Sequence, residues 1–342
     1  MIVVRAPLRI SFVGGGTDLP DFYRRYPGQV ISSAIDKYVY VVINRTPMID
    51  KISARYSISE TVDHPDALRH SRIREALKHL GIKSGLEIAS FANMPAKTGL
   101  GSSSSFSVAL MKALHAFLGK KLDARESAEA AAYLEMELLK EPIGPQDQYA
   151  SAFGGFNRIR FNSDDTVDVE PVLLDFKKRF LLENHLLVFF TGLTRDTSSV
   201  LHEQKRNVND DDKFETMKQM ADSVPQFVSY LENGQMQKMG EMLHEGWQRK
   251  RSLASNLSNA VIDNLYSTGL KNGAWGGKLL GAGAGGCLMF IAPPGSHPAI
   301  RLAMKKTAEQ NRLNEFREIP VHFVQSGAEI LYHGDGQPSA FA

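Results

Sequence analysis

The sequence lacks the features that mark several large classes of protein. Its one cysteine, Cys287, excludes an internal disulfide framework and is typical of a reducing compartment. Its apolar runs, such as Leu186–Phe190, are far too short to cross a bilayer, and Met1–Arg5 has no hydrophobic region of signal-peptide length. The formal net charge of +2 is too balanced for electrostatic binding to nucleic acid or to a membrane. We therefore expect a cytoplasmic globular protein.

The length and the distribution of charge predict two domains. A chain of 342 residues exceeds the usual size of a single domain. Charged residues concentrate near 175–184, and we place the boundary there. The predicted domains are residues 1–178 and 179–342, and the second is expected to be the more helical.

The segment Pro95–Ser107 organises the first domain. A predicted strand at Gly85–Met94 precedes it, and a helix with apolar residues at helical spacing follows it. Gly99, Gly101 and the serines Ser102–Ser105 therefore lie between a strand and a helix N-terminus. Free backbone N–H groups and the helix dipole make such a turn an anion site, and phosphate is its usual occupant.

A simple helix cap is the alternative for this segment. One serine would suffice for a cap, whereas the glycines allow close backbone approach and several hydroxyls can hold phosphate oxygens or Mg²⁺. The segment does not match the Walker pattern, because no lysine follows Gly101. We favour phosphate binding, and the loop alone does not identify whose phosphate it binds.

Three carboxylates outside this loop are further candidates. Asp18 follows three glycines in a sharp turn, and Asp147 lies near the start of a short helix after Pro145; capping is the alternative role for both. Glu135 falls on the apolar face of a predicted helix, where a carboxylate is costly unless something compensates its charge. A buried salt bridge and a Mg²⁺ ion near the phosphate loop are the two explanations, and we favour the metal.

A second glycine-rich segment, Gly276–Gly286, contains Lys278 and suits close approach of the backbone to an anion or a substrate. Gly281, Gly283 and Gly286 match the dinucleotide-binding pattern, but that pattern should follow a strand and open a helix. Here a helix is predicted before the segment and a strand after it. This order argues against a dinucleotide site.

Together, these motifs resemble those of the GHMP small-molecule kinases. The resemblance rests on Pro7–Asp18, Gly99–Ser105 and Gly276–Gly286, and it extends over nearly the whole chain. It implies an α+β fold with an N-terminal domain like domain 2 of ribosomal protein S5 and a ferredoxin-like C-terminal domain. The active site would lie in the cleft between them.

The resemblance also assigns roles to individual residues. It implies that Asp147 faces the acceptor hydroxyl with Arg9 beside it, and that Asp18 binds a sugar hydroxyl. By the same resemblance, Ser103 and Glu135 hold Mg²⁺. The remaining implied residues are Gly16, Thr17 and Arg195 for the sugar, and Lys97, Gly99, Leu100, Gly101, Ser102, Ser103, Ser104, Ser105 and Gly283 for ATP.

The implied activity is ATP-dependent, Mg²⁺-assisted phosphorylation of the anomeric hydroxyl of a sugar phosphate. The segments Arg5–Pro20, Gln146–Gly155 and Thr191–Arg195 are most similar to those of family members that act on D-glycero-D-manno-heptose 7-phosphate. Galactokinases have Gly-Glu-His-Thr-Asp where this chain has Gly-Gly-Gly-Thr-Asp, which argues against galactose itself. The alternatives are another sugar 1-kinase, galactokinase- or fucokinase-like, and a non-catalytic sensor of sugar and ATP.

A heptose 7-phosphate needs a second cationic site for its own phosphate, apart from the ATP loop. Arg195 follows Thr191–Thr194 at the start of a predicted helix, and an Arg fork at a helix N-terminus suits a phosphate. A local ion pair is the alternative role for Arg195. The next candidates are Arg24, Arg25 and Lys97.

Overall fold

The computed structural model describes residues 1–194, 203, 207, 208, 210–253, 257–281, 283 and 285–334. Helices and strands mix in an α+β fold. The strands are β1 (Ile2–Val13), β2 (Gly28–Arg45), β3 (Ile52–Arg55), β4 (Ser59–Val62), β5 (Leu86–Ala92), β6 (Phe156–Phe161), β7 (Val167–Pro171), β8 (Leu186–Phe190), β9 (Gly276–Leu279), β10 (Cys287–Ile291), β11 (Arg317–Glu318) and β12 (Glu329–His333). The α-helices are α1 (Pro20–Tyr23), α2 (Ser71–His79), α3 (Ser102–Phe117), α4 (Ala124–Ala132), α5 (Gln146–Phe153), α6 (Phe176–His185), α7 (Asp211–Asp222), α8 (Val224–Glu232), α9 (Met236–Arg251), α10 (Ala260–Lys271) and α11 (His297–Gln310).

The long strand β2 is the centre of an eight-stranded sheet. Strands β12, β1, β2, β5, β3 and β4 follow one another across it, β6 pairs with the first part of β2, and β7 pairs with β6. The antiparallel register of β1 on β2 shifts between Pro7 and Leu8, since proline has no N–H for the ladder. Beyond this irregularity β1 is buried on both faces, and it carries Arg9 into the interior.

The smaller sheet has four antiparallel strands in the order β11, β8, β10, β9. Its apolar face packs on Trp247 of α9 and Ile262 of α10. Strand β12 pairs with β1 in the larger sheet, and Phe323 forms a bridge with Ile35. A division into residues 1–178 and 179–342 stays a prediction, and it would leave a strand of the second part within the sheet of the first.

The secondary structure at the start of the glycine-rich segment Gly276–Gly286 differs from the predicted one. The run Gly276–Leu279, which shows no strand pattern in the sequence, is β9, and it pairs antiparallel with β10. The described part of the segment therefore belongs to a β9–β10 hairpin. No helix opens after it, so the dinucleotide-binding interpretation stays excluded.

Two further stretches differ from the secondary structure that the sequence indicates. The helix that contains Glu135 ends its regular α-helical part at Ala132 and continues as a π-helical turn over Tyr133–Leu138. The charged stretch taken as the domain boundary is largely α6, which Asp175 caps. In the described part of the chain, no helix combines the length and the apolar character that a membrane crossing requires.

The two glycine-rich segments meet backbone to backbone, which generates a stability prediction. Gly99 has a φ of 78°, and a Cβ there would lie 2.4 Å from the carbonyl oxygen of Leu280. Gly119 also has a φ of 78°, with no atom within 4 Å of such a Cβ. Gly119→Ala should lower the free energy of unfolding by about 1–2 kcal/mol for the left-handed backbone alone. Gly99→Ala should lower it by about 1–3 kcal/mol more, because the new methyl group overlaps the second segment.

Urea unfolding of the two variants beside the wild type measures this difference. Equal losses of unfolding free energy in the two variants would show that the contact between Gly99 and Leu280 does not stabilise the protein.

Candidate active site

A cavity of about 520 Å³ collects most of the residues that the sequence singled out. Its walls come from β1 and the turn after it, from the loop before α3, from Glu141–Asp147, and from the glycine-rich hairpin. The predicted residues that line it are Arg9, Gly16, Asp18, Lys97, Gly99, Gly101, Ser102, Ser103, Ser104, Asp147 and Gly283. Another cavity, of about 640 Å³ near Phe153–Leu174, contains none of them.

An ion pair between Arg9 and Asp147 forms the centre of this cavity. Arg9 Nε donates to Asp147 Oδ1 and Arg9 Nη2 to Asp147 Oδ2, both at 2.7 Å. Arg9 Nη1 donates to the carbonyl oxygen of Gly99 at 2.8 Å. Arg9 is only 5% exposed, and Asp147 stands in the first turn of α5. The two-pronged geometry holds the Asp147 carboxylate at a set distance from the phosphate loop.

The predicted phosphate loop, which ends at Gly101, leaves the N-terminus of α3 without a side-chain cap. Gly101 precedes α3 in a left-handed conformation, and no side chain caps the helix there. Ser102 and Ser103 line the cavity, so their hydroxyls are available to a ligand. The capping alternative therefore does not describe these serines.

Two residues predicted for ATP lie outside the cavity. Leu100 is fully buried in the core, where its carbonyl oxygen accepts from the backbone N–H of Arg9. Ser105 is also buried, and its hydroxyl lies within hydrogen-bonding distance of the carbonyl oxygens of Pro7 and Gly101. Leu100 through its backbone and Ser105 through its side chain thus join the loop to β1, and neither side chain lines the cavity.

Asp18 is a buried carboxylate at the opposite wall from the loop. Its Oδ1 accepts from Gln146 Nε2 at 2.7 Å and from the backbone N–H of Gly16 at 3.3 Å. Burial, followed by the charge of Asp147, raises the pKa of Asp18 to about 6. Thr17, predicted beside it for the sugar, is instead fully buried and hydrogen-bonded to the backbone of Gly14.

Glu135 lies behind the phosphate loop and is fully buried. Its Oε1 accepts from Ser107 Oγ at 2.6 Å and from Arg72 Nε at 3.1 Å. Its Oε2 accepts from Ser104 Oγ at 2.9 Å and also from Gln148 Nε2. Glu135 thus takes part in the buried ion pair that the sequence left open, and it joins α3 to the first turn of α5.

The two predicted metal ligands do not converge in this arrangement. Ser103 is exposed to the cavity, whereas the Glu135 carboxylate has donors on both oxygens and does not line the cavity. Among the residues with described positions, no group of three or more His, Cys, Asp and Glu side chains could hold a metal ion. A ligand role for Glu135 stays a prediction, because it requires one of the four donors to move away.

Reasoning from sequence missed two residues at the site. Lys250 of α9 lines the cavity, and Arg72 of α2 bridges Glu135 and Glu141, with Arg72 Nη2 2.7 Å from Glu141 Oε2. Lys250 follows Leu243 and Trp247 on the buried stripe of its helix, and a lysine in that stripe was the available signal. Nothing local in the sequence marks Arg72.

The other cations considered for a second phosphate lie elsewhere. Arg24 forms an exposed pair with Asp165 at 2.8 Å. Arg25 donates to the carbonyl oxygen of Val208 and packs on the ring of Phe214. Of those candidates Lys97 lines the cavity, and Arg195 falls outside the described residues.

Comparison with known proteins places the chain in a family. Residues 69–155 match the model of the GHMP kinases N terminal domain, and residues 227–310 match that of the GHMP kinases C terminal domain. The chain belongs to the GHMP kinases. The two-domain GHMP kinase fold is therefore confirmed, and the α+β class with it.

Individual GHMP kinases resemble the chain over most of its length. The D-glycero-alpha-D-manno-heptose 7-phosphate kinase of Campylobacter jejuni is 27% identical, over 92% of this chain and 96% of that protein. The galactokinase of Pyrococcus furiosus is 25% identical, over 85% of this chain and 88% of that protein. The crystal structure of a D-glycero-D-manno-heptose 1-phosphate kinase from Bacteriodes thetaiotaomicron superposes with a TM-score of 0.79 at 23% identity, over 97% of this chain and 99% of that one, and shows the shared fold.

The network around Glu135 predicts a large loss of stability when its charge is removed. Glu135→Gln should lower the free energy of unfolding by about 3 kcal/mol, since it breaks a buried pair and leaves the Arg72 charge only Glu141 as partner. Glu129→Gln is the matched control, because Glu129 pairs with Arg125 on the exposed side of the preceding α4. That control should change stability by about 0–0.5 kcal/mol. Chemical unfolding measures both.

A Mg²⁺ titration of turnover separates a ligand role from the ion pair. Arg72→Met removes the same pair and leaves the Glu135 carboxylate in place. If Glu135 acts through the ion pair alone, the two variants need the same Mg²⁺ concentration for half-maximal rate. A higher requirement confined to Glu135→Gln would assign Glu135 to the metal.

Proposed function

We propose that this GHMP kinase transfers the γ-phosphoryl group of ATP to the anomeric hydroxyl of a sugar phosphate, and that the acceptor is D-glycero-D-manno-heptose 7-phosphate. The product would be the 1,7-bisphosphate, a step toward nucleotide-activated heptose. The observation that carries the proposal is the bidentate Arg9–Asp147 pair, which faces the same cavity as the open N-terminus of α3. A carboxylate for a hydroxyl proton thus lies beside an anion site for ATP.

The reaction follows from this arrangement. Backbone N–H groups and the hydroxyls of Ser102 and Ser103 hold the ATP phosphates at the helix N-terminus. The acceptor oxygen attacks the γ-phosphorus, the bond to the β–γ bridging oxygen breaks, and ADP leaves with that electron pair. The hydroxyl proton passes to Asp147, which Arg9 holds in position through two hydrogen bonds. When bound with ATP, Mg²⁺ supplies neutralisation of phosphate charge, and Ser103 is the exposed residue that could contact it.

The space around Asp18 supports an acceptor larger than galactose. Galactokinases carry Glu-His where this chain has Gly15 and Gly16. A Cβ at Gly16 would meet no atom within 4 Å, and one at Gly15 would make only ordinary contacts. Both glycines line the cavity, so their missing side chains leave room for the longer chain of a heptose. The name of the Campylobacter jejuni relative, a heptose 7-phosphate kinase, supports the same acceptor.

A panel of acceptors in an ADP-release assay tests the function. We expect heptose 7-phosphate to give the highest kcat/KM and its product to carry phosphate on the anomeric carbon, as read by phosphorus NMR. Preference for galactose or fucose would favour the other sugar 1-kinases. ATP binding without ADP release on any sugar would favour a sensor.

Asp147→Asn should lower kcat by about 10²–10⁴-fold, because the neutral amide cannot accept the hydroxyl proton. The affinity for ATP should change little, whereas the melting temperature should fall, because the buried Arg9 loses its counter-charge and keeps only a hydrogen bond to the amide oxygen. Asp165→Asn is the control, because it breaks only the exposed pair with Arg24. An Asp147→Asn variant that keeps a tenth of the wild-type rate would contradict the assignment.

The raised pKa of Asp18 predicts an acid limb in the pH profile. We expect the ionised Asp18 carboxylate, which is the stronger acceptor for a sugar hydroxyl, to be the competent form, and burial raises its pKa to about 6. The kcat/KM for the acceptor should therefore fall about tenfold per pH unit below pH 6 and level off above it. Between the ordinary pKa of an aspartate and pH 6, Asp18 binds more protons in the folded protein than in the unfolded chain. Its contribution to the free energy of unfolding therefore decreases as the pH rises through that window.

Asp18→Asn should lower kcat/KM and remove this limb, and stopped assays in a constant-ionic-strength buffer series would measure both. A limb at pH 6 that persists in Asp18→Asn would assign the titration to another group.

A further inference from the structure

Lys250 is a buried cation that the proposed reaction leaves without a role. It lies in the last turn of α9 and is only 7% exposed. Its Nζ donates to the carbonyl oxygen of Gly281 at 2.8 Å. An ammonium group has three N–H donors, and among the described residues Lys250 makes no other hydrogen bond and no ion pair. Two donors thus remain for a group that enters the cavity.

The nearby Lys278 also lines the cavity, but two of its three N–H donors already have partners. Its Nζ donates to the carbonyl oxygens of Ser11 at 3.0 Å and of Phe12 at 2.8 Å. Lys278 therefore joins β9 to β1, and burial, followed by the charges of Lys250 and Arg9, lowers its pKa well below the usual value for a lysine. A bound anion would stabilise the charged form of both lysines.

Lys250 also separates the main cavity from a small pocket of about 20 Å³. The polar residues that line this pocket are Ser223, Arg249, Lys250 and Lys278, together with Gly14 and Gly15. Its described lining contains no aspartate or glutamate. No carboxylate in the described part of the chain therefore faces Lys250 from this pocket.

We propose that Lys250 binds a phosphate group that enters the cavity. This proposal rests on the proposed function. Two compounds could supply the phosphate group: the acceptor, through its own phosphate, and ATP, through its γ-phosphate. Both present the same chemistry, a dianion with oxygens that accept from an ammonium group. Burial of an ammonium without a full set of acceptors is unfavourable, and a bound dianion would remove that cost.

The charged groups around Lys250 give the binding a measurable proton signature. The charges of Arg9, Asp18, Asp147 and Lys278 lie near Lys250, and burial, followed by the charge of Arg9, lowers the pKa of Lys250 to about 8. A bound dianion should raise that pKa again. At pH 8 the wild type should therefore take up about half a proton on binding a phosphate compound. Calorimetry in two buffers of different ionisation enthalpy measures this uptake.

Lys250→Met is the test variant, because an apolar side chain of similar length removes the charge and keeps the buried packing. Lys238→Met, on the exposed side of the same helix, is the control. The probes are heptose 7-phosphate, the unphosphorylated heptose and a non-hydrolysable ATP analogue. Lys250→Met should weaken binding of at least one phosphate compound by about 30-fold or more and abolish its proton uptake, and Lys238→Met should do neither.

The pattern of losses identifies the source of the phosphate. A loss confined to heptose 7-phosphate assigns Lys250 to the acceptor's phosphate, and a loss confined to the ATP analogue assigns it to the γ-phosphate. Unchanged affinity and unchanged proton uptake for both compounds would overturn the proposal. Because these are binding measurements, they remain decisive for Lys250 even if the acceptor assay contradicts the proposed function.

Discussion

The ion pair between Arg9 and Asp147 is the interaction on which the candidate site depends. Arg9 lies on a strand that is buried on both faces, and its guanidinium group contacts Asp147 and the carbonyl oxygen of Gly99 at once. One side chain therefore sets the distance between the Asp147 carboxylate and the loop at Gly99. Loss of either partner would leave a poorly compensated charge in a cavity wall, which is far costlier than the pair itself is stabilising.

Two further constraints keep the walls of the cavity together. The glycine-rich hairpin packs against the loop at Gly99 so closely that a side chain would overlap backbone atoms. Behind the loop, Glu135 joins α3 to α5 through donors from both helices. A movement of the loop would thus be transmitted to the first turn of α5, where Asp147 lies. The carboxylates of the site come from the first part of the chain, and Lys250 and Lys278 come from the second.

Much of the local structure could be predicted from sequence, because short-range patterns determine it. The capping box at Asp123 and Glu126 opens α4 as residue spacing indicates, and α9 spans the apolar stripe from Met236 onward. Strand β9 could not be predicted, since its glycines have little strand propensity and pair only because β10 lies beside them. The π-helical turn around Glu135 likewise depends on contacts with α2 and α3 that lie far away in sequence.

The sequence by itself determined the family, and it predicted a phosphate loop and the carboxylates of the candidate site, because these reside in contiguous motifs whose backbone and side-chain chemistry is local. Only the tertiary structure decided how those groups are used. It directs Ser102 and Ser103 toward the cavity and Ser105 into the core, surrounds Glu135 with four donors, and brings Lys250 to the site from a distant helix. These outcomes depend on which side chains meet across the interior, and burial makes each unpaired charge costly enough to decide between arrangements that look equivalent in the sequence.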